Sequence, residues 1–463
     1  MSDAVAEALV ARKDEILERL KALLRLPSVS TDPAYAAGMK ATRDFLMARL
    51  TEGGLTDVRL LDGGGQPAVT AAWNGAPGKP TLIIYGHYDV QPPDPLELWK
   101  SPPFEPTIRD GRLYARGASD VKGSTLIAVE TVIEFIRAGG CPVNIRFFLE
   151  GEEEIGSPSL RAIIERHPDA LVGDAMISAD GGRASTTLPT VSVGSRGLTA
   201  LRFSVRTAGK DMHSGRYGGA VRNANHEMAR LVASLHDKDG RIVVPGYMEA
   251  MAPITAREAE DAAALPVDEA EFYGEVGAAP YGDTRFSVRE RITLLPTIEV
   301  NGMWGGYIGA GSKTVLPCEA HAKLTLRLGP NMDPVRAQAL VRDHLLAQAA
   351  PGTTLTFEES GNGTPAFTLR EGHPLLAAAE TVIRRTRNRA PVRARAGGTI
   401  PITAIFKERL GLDTLTFGYA MPDEDVHAPN EFFRLSSLEE GLRAWPLLLT
   451  ELGSVDPASL RAG

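Results

Sequence analysis

The sequence predicts an α/β protein: a mostly parallel mixed sheet flanked by helices, interrupted by a smaller inserted α+β domain. Three observations carry that expectation. Apolar runs of strand length (TLIIYGH, NIRFFLE, AMIS) alternate with helical periodicity as far as Asp180, the pattern of a sheet covered on both faces. From about Gly194 the pattern becomes two strand–helix–strand passes that would pack as one layer. Near residue 366 the first pattern returns. Residues 1–194 and 366–463 are therefore expected to form one discontinuous domain, with residues 195–365 inserted as a second.

The first element expected is a helix over Ala4–Arg25. Val5, Leu9, Ile16, Leu20, Leu23 and Leu24 fall at helical spacing, and Pro27 stops it. A second helix covers Ala36–Glu52 and ends at Gly53-Gly54. VRLLDG, AVTAAW and TLIIYGH read as strands, and TIRDGRLYARG as a hairpin turning at Asp110-Gly111. Leu126–Gly140 is a helix closed by two glycines. PSLRAIIERHP is a shorter one, with Ser157 as N-cap and Pro158 as its first residue.

In the insertion, a strand and loop lead to a helix from about Asn223, and RIVVPGY to about Thr297 is acidic and less regular. PTIEVNGMWGG and EAHAKLTLRLGP are strands, Val335–Ala350 is a helix, and TTLTFEE is a last strand. The closing part contains the helix HPLLAAAETVIRRT, the strand DTLTFG and the loop YAMPDEDVHAPNEFF. Its final helix opens on Ser436, Ser437, Leu438 and Glu439, a capping-box pattern.

Composition narrows the function classes. A chain of 463 residues exceeds one ordinary core, and 43% hydrophobic with 23% charged residues fits a soluble globular protein. A net charge of −8 argues against nucleic acid or an anionic membrane as the main partner. Cys141 and Cys318 lie in no CxxC motif, cannot make a disulfide framework, and are expected to be buried in a reducing compartment. The N-terminus lacks the layout of a signal peptide, and no apolar run is long enough to span a bilayer, so a cytoplasmic location is expected.

In open α/β sheets, ligands collect beyond the carboxyl ends of the strands. Here TLIIYG runs into His87 and Asp89, IRFFL into Glu150 and then Glu152-Glu153-Glu154, and AMIS into Asp180, while Asp120 follows the hairpin. Each has a plain reading by itself. A strand-end histidine often only hydrogen-bonds, Asp120 before a helix can be an N-cap, the glutamates can be a solvated run ahead of a helix, and Asp180 before Gly181-Gly182 can be a turn residue. As a set, with His427 in a proline-flanked loop, two histidines and three carboxylates at one rim can hold two divalent ions. Such ions would acidify a water between them, and a glutamate beside a ligand glutamate could then move its proton.

The motifs GHYDVQPPDPLELWKSPPFEP, RDGRLYARGASDVKG, LEGEEEIGSPSL, DMHSGRYGG, GAGSKTVLPCEAHAKLTLRLGPNM, GGTIPIT and HAPNE, spread over nearly the whole chain, resemble the M20 family of dinuclear metallopeptidases. The likeness is greatest to its carnosinase-like and Cys-Gly-dipeptidase-like branch. The resemblance implies a catalytic α/β domain with a ferredoxin-like lid that also dimerises. It implies that His87 and Asp180 ligate one metal, Glu154 and His427 the other, and that Asp120 bridges them. Glu153 would be the general base, working through a metal-bridging hydroxide, with Asp89 orienting His87. In this registration Glu152 is the extra glutamate of the run, and either it or Glu153 could be the base. The bond after the bridging aspartate, Asp120–Val121, is a candidate cis peptide.

The same resemblance gives His213 an oxyanion-stabilising role in a partner subunit's site, where its plain reading is a loop-holding histidine. Arg327, Thr314 and Thr399 match binders of a peptide's terminal carboxylate, although Arg327 could equally be an exposed strand residue. The expected protein is a homodimeric dipeptidase using two divalent ions: zinc, with manganese or cobalt also compatible. An N-acyl-amino-acid deacylase is the rival within hydrolases. A non-catalytic metal- or peptide-binding protein is the rival from a different class, and a metal-dependent phosphoesterase is a weaker one, disfavoured because no cluster of basic residues surrounds the proposed metals.

Overall fold

Four parallel strands form the heart of the first unit, in a computed structural model that describes residues 2–359 and 361–461. The chain divides into two compact units: Met1–Val193 with Leu369–Ala394 and Pro401–Gly463, and Gly194–Thr368 with Arg395–Ile400. In the first, the strand order is Thr56–Leu61, Ala68–Trp73, Asn144–Glu150, Thr81–His87, Ala175–Ser178, Thr414–Thr416. The last four run parallel, and the first two make an antiparallel edge. Leu82, Ile83, Ile84 and Tyr85 are buried, as the unbroken apolar run requires.

Connectivity places the site. After Thr81–His87 the chain crosses through helix Gly123–Arg137 to Asn144–Glu150 on one side. It then returns through helix Leu160–Arg166 to Ala175–Ser178 on the other. The strand order thus reverses about Thr81–His87, and a crevice at such a switch point opens beyond the carboxyl end. Gly86 lets the following helix come close, because a Cβ there would lie 2.3 Å from Thr125 Oγ1. The hairpin Thr107–Arg109/Arg112–Tyr114 turns at Asp110 and Gly111, both at positive φ. Its second strand pairs with Phe432–Arg434, which brings the C-terminal loop beside the Asp120 loop.

The second unit is a four-stranded antiparallel sheet in the order Thr297–Gly305, Glu319–Leu328, Gly197–Arg206, Thr354–Phe357. With helices Ala224–Ala233 and Pro334–Gln348 between strands, this is the βαββαβ order of a ferredoxin-like fold. Leu201, Phe203, Leu324 and Leu326 of the sheet pack with Met228, Leu231, Val341 and Leu345 of the helices.

Four local expectations need correction. The N-terminal periodic run is two helices, Ser2–Ala11 and Lys13–Leu24, broken at Arg12, whose guanidinium reaches Glu134 at 2.5 Å. Ser157 does not cap a helix; it sits at φ 54, and Leu160–Arg166 starts later, with Ser159 N bound by the Glu152 carboxylate at 3.0 Å. The helix expected to open on Ser436 begins at Leu435 with Arg434 as N-cap, so Ser436 and Ser437 lie inside it, and it is followed by a short final helix, Pro457–Arg461. The irregular stretch holds three short helices, Ala256–Ala264, Glu269–Val276 and Val288–Thr293. Of the two cysteines, both free, Cys141 is buried as expected and Cys318 only partly so.

Candidate metal centre

His87 closes its strand with a buried ring. Nδ1 lies 3.0 Å from the Asp89 carbonyl oxygen and 3.5 Å from Asp89 Oδ1, which turns Nε2 toward Asp120 Oδ1 at 3.1 Å. Asp89 is fully buried, and its two carboxylate oxygens accept from the amides of Glu153 (3.3 Å) and Glu154 (3.1 Å). One carboxylate therefore ties the end of the Thr81–His87 strand to the loop after Asn144–Glu150. The Asp120–Val121 peptide is cis.

The two oxygens of Asp120 face different imidazoles: Oδ1 faces His87, and Oδ2 faces His427 Nε2 at 2.9 Å. The same His427 nitrogen is 3.0 Å from Glu154 Oε2. Atoms of His87, Asp120 and Glu154 lie within 4.8 Å of one another. Asp180 follows Ser178, which pairs with Tyr85, so it comes level with His87 two residues on. Burial raises its carboxyl to about 6, with Asp120 and Glu154 adding to the rise.

Burial pushes Glu153 up to about 8, against His87, and Asp180, Asp120 and Glu154 push it further. His427 is drawn up to about 10 by its hydrogen bonds to Asp120 and Glu154. Burial opposes a charged His87, yet the bonds to Asp120 and Asp89 carry it well above the usual histidine range. Burial likewise opposes a charged Asp120, and the same two histidines hold it well below the carboxylate range. Buried acids crowded this closely need positive charge to balance them, and divalent cations bring it to oxygen and imidazole donors. The donor set fits such ions.

The glutamate run divides by role. Glu152 is buried and engaged elsewhere, accepting from Gln66 N at 2.8 Å and Ser159 N at 3.0 Å. Glu150 accepts from Tyr85 Oη at 2.9 Å. Among the described residues, no hydrogen bond engages the Glu153 carboxylate. Gln91 was not anticipated: its amide nitrogens hold Glu154 at 3.1 Å (N to Oε1) and 2.9 Å (Nε2 to Oε2). The signal was in the alternation His87-Asp89-Gln91, which puts three polar side chains on one side of an extended chain.

The remaining candidates belong to the second unit. Arg327 Nη1 donates to Thr399 Oγ1 at 2.9 Å, and that hydroxyl donates to the Arg196 carbonyl at 2.8 Å. Arg327 has no carboxylate partner among the described residues. His213 is exposed on the short strand Met212–His213, and its Nδ1 accepts from Gly215 N at 3.0 Å. Thr314 lies beside it, its carbonyl accepting from Ser214 N at 3.0 Å.

Fold and donor set together are those of a metal-dependent hydrolase. The sequence profile of Peptidase family M20/M25/M40 matches residues 83–451, and the chain belongs to that family. It is 28% identical over 474 residues to a Cys-Gly metallodipeptidase of Schizosaccharomyces pombe, covering 98% of this chain and 99% of that one. It is also 28% identical over 468 residues to the Beta-Ala-His dipeptidase of Homo sapiens, covering 96% and 91%. The M20 family metallo-carboxypeptidase Sso-CP2 of Sulfolobus solfataricus superposes with a TM-score of 0.79 at 29% identity, covering 95% of this chain and 100% of that one.

Proposed function

We propose that this protein is a dipeptidase that hydrolyses the amide bond of its substrate at a centre of two divalent ions, zinc or a close substitute. The observation that carries the reading is Asp120, whose two oxygens face two separate imidazoles at 3.1 and 2.9 Å. His87 and Asp180 would hold one ion, Glu154 and His427 the other, and Asp120 would lie between them. When bound, the ions acidify the attacking water and polarise the scissile carbonyl.

The protein's own groups supply the rest. Asp89 fixes the His87 ring through Nδ1, and Gln91 fixes the Glu154 carboxylate. Glu153, the unengaged carboxylate, takes the proton of the attacking water and returns it to the leaving amine nitrogen. Arg327, with Thr399 and Thr314, receives the terminal carboxylate of the dipeptide. His213 stabilises the oxyanion in the site of a second copy.

A homodimer is supported by the free edge strand Thr297–Gly305, which exposes Val300, Met303 and Trp304. Two free cysteines support a cytoplasmic location. No helix among the described residues is long and apolar enough to cross a membrane.

The test is hydrolysis of dipeptides beside matching N-acetyl amino acids and longer peptides, by metal-stripped protein with zinc or manganese added back. Metal-dependent turnover of dipeptides is expected. Turnover of the acetylated compounds alone would make the protein a deacylase. Turnover of longer peptides from the C-terminus would make it a carboxypeptidase, the activity named for the Sulfolobus relative.

A further inference from the structure

The loop that carries Asp120 has few means of its own to hold that side chain in place. Residues 115–120 form no strand, Gly117 takes a left-handed conformation (φ 82), and Asp120 itself is not helical (φ −115, ψ 92). The bonds that fix it come from far along the chain. Glu431, four residues after His427, is fully buried, and one of its oxygens accepts from Gly117 N at 2.9 Å while pairing with Arg116 Nη1 at 2.8 Å. The other accepts from Ser119 N at 2.9 Å and from Asp120 N at 3.1 Å. A second buried acid of the same segment, Glu424, accepts from Ser119 Oγ at 2.5 Å.

A buried carboxylate left without partners is costly, and a turn whose amides point inward is costly too. Here each satisfies the other. The geometry also has a direction. Glu431 grips the main chain at Asp120, and its own segment supplies His427, whose ring meets the Asp120 side chain at 2.9 Å. Backbone and side chain of one aspartate are thus held by a single stretch, 427–431.

From this we infer that Glu431 is a positioning residue of the metal centre: it sets Asp120 where the carboxylate can serve two ions at once. The inference rests on the two-ion reading above. A carboxamide at this position could no longer accept at both ends, so one end would turn an N–H toward amides that are themselves donors. Asp120 would then lose its placement relative to His427 while every ligand remained in the chain.

The experiment is a cobalt(II) titration of metal-stripped protein, followed by visible absorption, for wild type, Glu431→Gln and Glu130→Gln. Glu130 is a buried acid bound by Arg49 at 2.7 and 2.6 Å, and it serves as a control for lost stability alone. Wild type should take two ions, and Glu431→Gln should bind them about 10- to 100-fold more weakly, the range for groups that orient ligands. Glu130→Gln should melt lower and leave the titration unchanged. Should Glu431→Gln not fold, Glu431→Asp keeps the charge facing Arg116, withdraws the oxygens from the amides, and should show the same loss. An unshifted titration in the folded variant, or an equal loss in Glu130→Gln, overturns the positioning role. A wild type that takes fewer than two ions overturns the two-ion reading instead.

Discussion

Asp120 and His427 stand 307 positions apart in the chain and meet at 2.9 Å through Oδ2 and Nε2. Around that contact the protein gathers the acids Glu153, Glu154 and Asp180, whose charges need compensation.

Glu153 and Glu152 are neighbours with opposite employment. Glu153→Gln should keep metal content and lower kcat by about 10²- to 10⁴-fold with little change in KM, the usual worth of a positioned base. Glu152→Ala should keep turnover and lower stability by about 1–3 kcal/mol, because the amides of Gln66 and Ser159 lose their acceptor. Steady-state kinetics beside thermal melts separates the two, and a Glu152 variant that melts normally but does not turn over would exchange their roles.

Arg327 has no carboxylate partner among the described residues and leans on Thr399 at 2.9 Å. Arg327→Ala should reduce kcat/KM for dipeptides with a free terminal carboxylate by about 10- to 100-fold, the loss of a charge-assisted bond. The same substitution should hardly affect a dipeptide amide. Equal losses on both substrates would remove Arg327 from carboxylate recognition.

His213→Ala should leave the oligomeric state unchanged by light scattering and lower kcat by about 10²-fold, as loss of one oxyanion donor does. Mixing it with a Glu153→Gln protein should restore part of the activity if the ring serves a second copy's site. An unchanged rate in the single variant would confine His213 to its loop contact with Gly215.

Stability of the metal-stripped protein should fall as pH rises. Burial lifts Glu153 from its ordinary 4.5 to about 8, and the bonds to Asp120 and Glu154 lift His427 from 6.5 to about 10. Both hold their protons more tightly folded than unfolded. The stability they contribute is complete below the unfolded values and is lost through about pH 4.5–8 for Glu153 and 6.5–10 for His427. A melt at pH 8 should therefore lie below one at pH 6, saturating zinc should reduce the difference, and Glu153→Gln should flatten the slope. A metal-free melting point that rises between those values would contradict the charge balance described above.

How much could be read in advance follows from how local each signal was. The strand Thr81–His87 lies where its apolar run puts it, and the helix Ala36–Glu52 ends where Gly53-Gly54 stops it, because both signals are complete within their own segments. Caps were harder. Ser157 looks like an N-cap, but Glu152 supplies the acceptor from outside the helix and Ser157 turns left-handed instead. The short helices of the insertion did carry a local signal: Thr255 with Glu258 and Ser287 with Glu290 both form complete capping boxes. Their acidic surroundings hid it. Arg12 breaks the first helix beside a salt bridge 122 positions away, and Glu431 holds Asp120 from 311 positions away. Neither spacing has a sequence period that could announce it.

The wide separation of Asp120 and His427 also orders events in time. A chain emerging from the ribosome completes the strands that present His87, Glu154 and Asp180 long before residues 427–431 exist. Until then the Asp120 loop lacks the second of its two imidazole partners, His427, and its buried carboxylate, Glu431. Metal capture in the proposed form must wait until residues 427–431 have emerged, so the earlier strands first form an acid-rich sheet edge that the late segment completes.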